Sequence, residues 1–309
     1  MTLTSRGFRS EDDLFAMRRL LLAGRQANTS AYYIHGGDLL WWYGYYVPEL
    51  DLRRCTTLWE SDLFEPGELA AWALFSPNYD SLDVFLHPAL RGTPQAAEIW
   101  TAAEEGCAVW RDTAAGHKLN TIWIGANDAW TINHLLSRGF TLGAEYADVM
   151  LRPLTTPLEP PVLPPGFALR SLQPETDITA RANPQYAAFG SRLPLDVYYD
   201  RYARFLRSSS YPLCIDTLLL APGGRGAAFC ITWPDEVNRV GLFEPVGVDP
   251  AFHRQGLGRM VVTEGLRRLQ AAGMTSAIVC GLSDLPGARA FYASLGFAPV
   301  LRLLTYEKA

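Results

Sequence analysis

The stretch from Val246 to Arg259 constrains the fold more than any other part of this sequence. It reads VGVDPAFHRQGLGR. An apolar strand-like segment ends at Asp249-Pro250, a short basic turn with glycine follows, and an amphipathic helical pattern begins at Leu257. A strand, a glycine-bearing turn and a helix in succession form an α/β unit. We therefore expect strands to alternate with helices around this stretch.

The same turn has the chemistry of an anion site. Gly256 and Gly258 place no side chain over their peptide N–H groups, and Arg254 and Arg259 flank them. A helix start adds unpaired N–H groups and a partial positive charge. These features suit a pyrophosphate, although an ordinary tight turn is the alternative. The turn is not a Walker loop, because no Gly-Lys-Ser/Thr follows, and a Rossmann fingerprint would need glycine at Val261.

The turn resembles motif A of the GCN5-related N-acetyltransferase (GNAT) family, whose loop reads Arg/Gln-x-x-Gly-x-Gly/Ala and holds the pyrophosphate of acetyl-CoA. Gly256 and Gly258 match, whereas His253 stands at the first position with Arg254 beside it. The resemblance implies acetyl-CoA as cosubstrate. It also implies that the loop binds this carrier through a contiguous set of residues: His253, Arg254, Gln255, Gly256, Leu257, Gly258 and Arg259.

A second match lies near the carboxyl end of the chain. It resembles motif B of the same family, Ala-x-x-x-Tyr-x-x-x-Gly-Phe, at four positions: Ala288, Tyr292, Gly296 and Phe297. The resemblance implies that Tyr292 protonates the departing CoA thiolate. A phenol with a pKa of about 10 is protonated at neutral pH and can donate. A half-buried helical aromatic is the alternative. Family members often have asparagine where this chain has Leu285.

Pro245 interrupts an otherwise strand-like segment, 240–248. Proline removes one ladder hydrogen bond and so belongs at an edge or a bulge. The resemblance favours a bulge that splays this strand from the strand after the phosphate-binding helix. It implies that Val246, Gly247 and Val248 line the pantetheine arm, mainly through main chain, and that Gly247 permits close approach.

Glu244 precedes this proline and is our candidate general base. Amine acetylation needs a neutral nitrogen, and an alkyl ammonium has a pKa of about 10.4. A carboxylate whose pKa is raised by burial can take that proton, directly or through water. The alternative is an ordinary solvated carboxylate on an edge strand.

Proline density divides the chain. Six prolines fall within 153–165, a density that neither a helix nor a central strand can accommodate. We expect a semi-rigid linker at 154–165 between a domain at 1–153 and a domain at 166–309. Both flanks repeat one order of strands, turns and helices, and each copy ends with a helix, a glycine and a phenylalanine.

The expected fold class is therefore α/β with mixed sheets (an α+β arrangement), built as two tandem GNAT-like acyltransferase domains. In the second half we predict strands near 167–172, 213–220, 227–233, 240–248, 275–281 and 298–307. Helices are predicted near 175–189, 194–208, 257–272 and 286–295, with bounds uncertain by about two to four residues.

The first copy lacks the motifs of the second. Its turn reads Leu-Arg-Gly-Thr-Pro-Gln, where Pro94 removes an N–H donor, and Leu135 stands where the second copy has Tyr292. We expect a degenerate domain that completes the acceptor cleft or stabilises its partner. The aromatic run 35–46 could line an acceptor pocket, or pack in the core and between the halves.

Composition bounds the remaining possibilities. The chain has 309 residues, 49% of them hydrophobic, and a formal charge of −5, so disorder and general nucleic-acid binding are disfavoured. Five widely spaced cysteines give no metal-ligand spacing, and we expect neither a metal nor a disulfide framework. Free thiols, the absence of a signal-like start and the lack of a membrane-length apolar run predict a cytoplasmic protein without membrane contact. Homo-oligomerisation stays open.

These observations predict an acyltransferase that moves an acetyl group from acetyl-CoA to a primary amine of a small molecule, by direct attack in a ternary complex. Glu244 would take the amine proton and Tyr292 would protonate the thiolate. Two alternatives remain. One is a non-catalytic CoA sensor or interaction protein. The other is a protein resembling mycothiol synthase, a tandem GNAT that acetylates a cysteinyl amino-sugar.

Overall fold

The computed structural model describes residues 2–27, 29–46, 52–77, 79–110, 118–282 and 286–309. Its strands all join one sheet. They are β1 Leu3–Gly7, β2 Thr56–Ser61, β3 Ala71–Ser76, β4 Ser81–Leu86, β5 Leu119–Gly125, β6 Thr141–Pro153, β7 Ala168–Ser171, β8 Ile215–Leu220, β9 Gly226–Asp235, β10 Val240–Val248, β11 Ser276–Leu282 and β12 Ala298–Lys308.

Helices lie between these strands, as the alternating pattern predicts. They are α1 Glu11–Gln26, α2 Gly36–Trp41, α3 Pro94–Cys107, α4 Ala129–Ser137, α5 Ile178–Ala188, α6 Leu195–Leu206, α7 Leu257–Ala271 and α8 Pro286–Ser294. A π-helical turn, 42–46, continues α2. Every strand and helix expected in the second half is present, with bounds that differ by at most three residues. The mixed α/β fold class is confirmed.

Helix α7 shows why the sequence forms these elements. Its apolar positions repeat at helical spacing, and those on one face, including Leu257, Val261, Leu266 and Leu269, are buried against the sheet. Gly256 precedes the helix with φ +75°, and Gly273 follows it with φ +84°. Both values lie in the left-handed region that favours glycine, so the two glycines bound the helix.

The order of the strands reveals an exchange between the halves. The sheet runs β1-β2-β3-β4-β5-β12-β6-β11-β10-β9-β8-β7. The last strand of the first half, β6, pairs with β11, and the last strand of the second half, β12, pairs with β5. The two exchanged strands pair antiparallel at the centre of the sheet. Each half therefore completes the sheet of the other, which the linear repeat in the sequence does not reveal.

Two hydrophobic cores follow from this arrangement. One core spans both halves and joins α1, α2 and β3 to side chains such as Phe205 and Trp233 of the second half. The other packs α7 and α8 against β9–β11. The linker 154–165 contains neither helix nor strand, as predicted, and lies along α7. There Gln270 donates to the carbonyl oxygens of Leu154 and Thr156 at 3.0 and 2.9 Å.

The described helices and the cysteines have two further features. Among the helices that the structure describes, none combines the length and apolar character needed to cross a bilayer. All five cysteines are free thiols, and Cys55, Cys107 and Cys230 are buried.

The exchange predicts how the two halves behave when the linker is cut. We expect a chain divided between Glu159 and Pro160 and co-expressed as two fragments to form one tight complex, because β6 and β12 are each paired on both edges by the exchange. Each fragment alone exposes unpaired strand edges and should aggregate. Size-exclusion chromatography of co-expressed and separate fragments measures this. Two folded, monomeric fragments that ignore each other would contradict it.

Candidate active site

A gap in the sheet is the centre of the site. Strands β10 and β11 run parallel but pair only from Val240–Ser276 to Leu242–Ile278, after which β10 diverges. A bulge shifts the β10–β9 register between Phe243 and Val246, and the peptide bond of Glu244-Pro245 inside it is cis. The bulge and the splay are those that the proline at 245 and the family resemblance predict.

The residues after the bulge present one free edge to the gap. Val246, Gly247 and Val248 pair with β9 on their other edge, at Cys230, Phe229 and Ala228. Their remaining backbone groups face the gap, as a pantetheine arm would require. Packing within the chain, as well as the expected approach of a ligand, accounts for glycine at position 247. A Cβ at 247 would lie 2.5 Å from the ring of Phe229 and 3.0 Å from Ala188, so Gly247 is required by packing within the chain.

The turn after β10 forms the expected nest of donors. A 3₁₀ turn at Pro250–Phe252 leads through Arg254, whose φ is +66°, to Gly256 at the start of α7. Glycine offers no side chain to cap the helix, and within the described residues the N–H groups of 254–259 donate no hydrogen bond. Free donors at a helix start are the arrangement that an anion site requires.

The side chains around the nest differ in their hydrogen bonds and in their exposure. His253 Nε2 lies 3.3 Å from the carbonyl oxygen of Val248, where only the protonated nitrogen can donate, so this side chain ties the loop to the end of β10. Arg259 donates to the carbonyl and hydroxyl oxygens of Ser294 at 3.2 and 2.8 Å and ties α7 to α8. Arg254 and Gln255 are exposed, and Leu257 is buried.

Glu244 lies at the point where the gap opens. Its main-chain carbonyl oxygen accepts a hydrogen bond of 2.7 Å from Trp233 Nε1. The residue keeps some contact with solvent, but protein surrounds the carboxyl group. Burial, with a smaller contribution from the charge of Asp38, raises the pKa of Glu244 to about 8. A carboxylate of this basicity is matched to proton abstraction near neutral pH.

Tyr292 approaches the same site from α8. Its ring packs between Phe291 and Phe297, with centroid distances of 5.1 and 5.5 Å, and the residue is only 9% exposed. Burial raises the pKa of Tyr292, and the nearby charge of Glu244 adds to the effect. The phenol therefore stays protonated and retains a proton to donate. Leu285 lies outside the described residues.

The first half supplies groups to the same site. Burial raises the pKa of Asp38 to about 7 and, together with the charge of Glu244, raises the pKa of Tyr46 to about 12. The charge of Asp38 acts on Glu244, and the charge of Glu244 acts on Tyr46, Cys280 and Tyr292; we call these five residues the acceptor chamber. Most of the aromatic run 35–46 packs between the halves, as Trp41 does against Phe205 at 4.9 Å. Sequence analysis flagged the run but did not single out Asp38.

Cys280 was also missed by sequence analysis, and its role is limited by its surroundings. It lies on β11 beyond the last residue paired with β10. Burial and the charges of Asp38 and Glu244 raise the pKa of its thiol well above the ordinary value. A nucleophilic cysteine needs the opposite environment, one that stabilises the thiolate. These surroundings therefore oppose formation of a thiolate at Cys280.

The first half contains a counterpart of the gap that its own chain fills. Strands β4 and β5 pair in parallel only at Ser81–Asn120. The side chain of Tyr33 occupies the opening and donates to the carbonyl oxygen of Leu86 at 2.8 Å. What remains is a cavity of about 20 Å³, room for about one water molecule.

The turn beside this filled gap is also closed. It has three residues, 91–93, between the 3₁₀ turn and the helix, against four, 253–256, in the second half. The side chain of Thr93 caps α3 by accepting from Ala96 N at 3.3 Å, and Pro94 has no N–H. Arg91 is engaged by Asp128 at 2.5 Å. These contacts explain physically why the first copy lacks a nest.

A sheet opened between two parallel strands, with a donor-rich turn and a helix after the first of them, defines the class of acyl-CoA acyltransferases expected from the sequence. Residues 177–297 match the model of the acetyltransferase (GNAT) family. The second half of the chain thus matches this family, and the relatives and solved structures described next support a two-domain GNAT protein that is an acyltransferase, in agreement with the sequence prediction. Members of the family generally use acetyl-CoA.

Relatives and solved structures agree with this assignment. The chain is 26% identical to the mycothiol acetyltransferase of Amycolatopsis mediterranei, over 93% of this chain and 92% of that protein. It is 29% identical to that of Salinispora arenicola, over 51% of this chain and 53% of that protein. A tandem GNAT protein from the clavulanic acid biosynthesis pathway shares the fold, with a TM-score of 0.69, 14% identity and coverage of 99% and 98%. A GCN5-related N-acetyltransferase from Sphaerobacter thermophilus has a TM-score of 0.61, 19% identity and coverage of 99% and 95%.

The raised pKa of Glu244 predicts the pH dependence of the reaction. With a pKa of about 8, only the minority deprotonated form acts as base at pH 7, and this form grows as pH rises. We expect kcat/KM to increase up to about tenfold per pH unit below 8 and to level off above it. An aromatic amine, neutral throughout this range, isolates the enzyme's own titration. The Glu244→Gln variant should lose the slope. An equal slope in that variant would assign the titration to another group.

Proposed function

We propose that the chain transfers an acetyl group from acetyl-CoA to a primary amine of a small-molecule acceptor, by direct attack in a ternary complex. The carrier lies with its pyrophosphate on the N–H groups of 254–259 and its pantetheine arm along 246–248. Glu244 accepts the amine proton, Tyr292 protonates the thiolate, and a main-chain N–H of β10 polarises the thioester carbonyl.

One observation supports this proposal: a basic carboxylate lies where the gap opens, and its charge acts on a protonated phenol of α8. Glu244 and Tyr292 come from elements about fifty residues apart in sequence, and the charge of one acts on the other. Acyl transfer to an amine needs one group that removes a proton and one that returns it. The donor-rich turn at the end of β10 fits the carrier that this chemistry requires.

The acceptor site is formed by both halves, which favours a small molecule. Asp38 and Tyr46 of the first half and Tyr292 of α8 all interact electrostatically with Glu244. Above their raised pKa values of about 7 and about 8, Asp38 and Glu244 are negatively charged and attract an ammonium group before transfer. Similarity to mycothiol acetyltransferases along most of the chain makes a cysteinyl amino-sugar the specific acceptor to test first.

Carrier binding is tested by enlarging the nest glycines. We expect Gly256→Val with Gly258→Val to weaken acetyl-CoA binding at least about 100-fold, because side chains would cover the donors and crowd Val248 and Phe291. Isothermal titration calorimetry should give one carrier per chain in the wild type. Gly273→Val is the matched control. It also has positive φ, with open space around it, and should keep wild-type affinity. A second site of similar affinity would place a carrier in the first half.

The catalytic roles are tested at Glu244 and Tyr292. We expect Glu244→Gln and Tyr292→Phe each to lower kcat by about 10²-fold or more, because each removes one proton transfer without removing side-chain volume. The dissociation constant of acetyl-CoA should change by less than about threefold. Release of free CoA thiol, followed over a panel of small amines that includes the cysteinyl amino-sugar, measures turnover. Unchanged kcat in both variants would refute these roles.

The same panel separates this function from the alternative of a CoA sensor. The sensor would be favoured if the wild type, Glu244→Gln and Tyr292→Phe all bind acetyl-CoA with the same tight affinity and the wild type acetylates no amine of the panel. A kcat/KM for the cysteinyl amino-sugar at least about 100-fold above that of simple alkyl amines would favour the mycothiol type of acceptor.

A further inference from the structure

We propose that the filled gap of the first half serves as the anchor of a brace that fixes the Glu244 bulge of the second half. The brace is the segment 33–37 together with Trp233. It gives the degenerate copy a task in the reaction, that of positioning the general base across the boundary between the halves. The geometry is independent of the proposed function, whereas its consequence for catalysis rests on the role proposed for Glu244.

The anchor is the side chain of Tyr33. Its hydroxyl group donates to the carbonyl oxygen of Leu86 at the end of β4, and the residue is 3% exposed. On its other side the ring lies against Gly24 of α1, where a Cβ would stand 2.3 Å from ring atoms. A ring held between a helix glycine and the opening of a sheet has little freedom to move. The start of the segment is therefore fixed to the first half.

His35 connects the anchor to β10. Its ring is buried, and burial lowers its pKa to about 3, so it is neutral. Nδ1 accepts from Gly37 N at 2.9 Å, which leaves the proton on Nε2. Nε2 then donates to the carbonyl oxygen of Val240 at 3.1 Å. The first residue of β10 is thus bonded to the first half, at the end of the strand where its pairing with β11 begins.

The last contact reaches the bulge through Trp233. Gly37 lies directly on this residue, since a Cβ at 37 would be 2.4 Å from Trp233 Cβ and Cγ. The indole Nε1 donates at 2.7 Å to the carbonyl oxygen of Glu244. A bulged, diverging strand lacks ladder bonds on the β11 side, so this indole bond is a principal restraint on the general base.

Four contacts therefore connect the filled gap to the open gap. Tyr33 bonds to Leu86, His35 bonds to Val240, Gly37 packs on Trp233, and Trp233 bonds to Glu244. All of these residues except Glu244 are remote from the reacting atoms, so Tyr33, His35 and Trp233 are positioning residues. Catalytic groups must be held within about 0.5 Å of productive geometry, and supporting hydrogen bonds supply that restraint.

Two conservative variants, Trp233→Phe and Tyr33→Phe, and one truncation, Tyr33→Ala, test the brace. We expect Trp233→Phe to raise the hydrogen–deuterium exchange rate of the peptide 240–248 about fivefold or more, because the bond to the bulge is lost. Tyr33→Ala should produce the same change at a distance, and Tyr33→Phe, which keeps the filling ring, should produce less. Trp72→Phe is the matched control. Its indole is fully buried, and its N–H has no partner within the described residues.

Kinetics provides the second readout. In Trp233→Phe and Tyr33→Ala, kcat for the best amine of the panel should fall about tenfold while the dissociation constant of acetyl-CoA stays within twofold. Trp72→Phe should change neither. The brace would be overturned if the hydrogen–deuterium exchange rate of the peptide 240–248 rises no more in Tyr33→Ala and Trp233→Phe than in Trp72→Phe. If the wild type acetylates no amine, the proposed function fails, and the exchange data alone still decide the brace.

Discussion

The structure of the site depends on one backbone event, the early end of pairing between β10 and β11. Pro245 cannot donate to a ladder, and the bulge that accommodates it turns β10 away after Leu242. The divergence leaves a gap bordered by unpaired peptide groups. It also aims the following turn, with its free N–H groups, at one end of the gap and leaves Glu244 at the other. One backbone irregularity thus places the proposed carrier site and the proposed general base along the same gap.

The first copy of the unit shows what the same architecture becomes without these features. Strands β4 and β5 also diverge, but Tyr33 fills the opening, Thr93 caps the next helix, and Arg91 pairs with Asp128. The hydroxyl group of Tyr33, the side chain of Thr93 and the guanidinium of Arg91 thus all have partners within the chain. Satisfied groups cost less to bury than groups waiting for a ligand, so loss of the carrier site favours a firmer half.

The two halves are therefore different in task and inseparable in structure. Exchange of β6 and β12 makes each sheet complete only in the presence of the other half. The shared core extends this dependence to side chains, and the acceptor chamber extends it to electrostatics, because Asp38 acts on Glu244 and Glu244 acts on Tyr46 across the boundary. The first half thus contributes packing, a charge and a restraint to the site in the second half.

The sequence by itself determined the local units. Hydrophobic periodicity, helix-bounding glycines and proline spacing located the elements of the second half, the linker and the repeat, because these signals act between neighbours in sequence. The turn at 253–259 and Tyr292 were predicted as site residues for the same reason, since each belongs to a short motif, and Glu244 was predicted from its place beside Pro245. Tertiary structure alone decided the exchange of β6 and β12, the filling of the first gap by Tyr33, and the entry of Asp38 and Cys280 into the chamber. These depend on contacts between residues far apart in the chain, and no local pattern encodes which distant strand edge or opening a segment will meet.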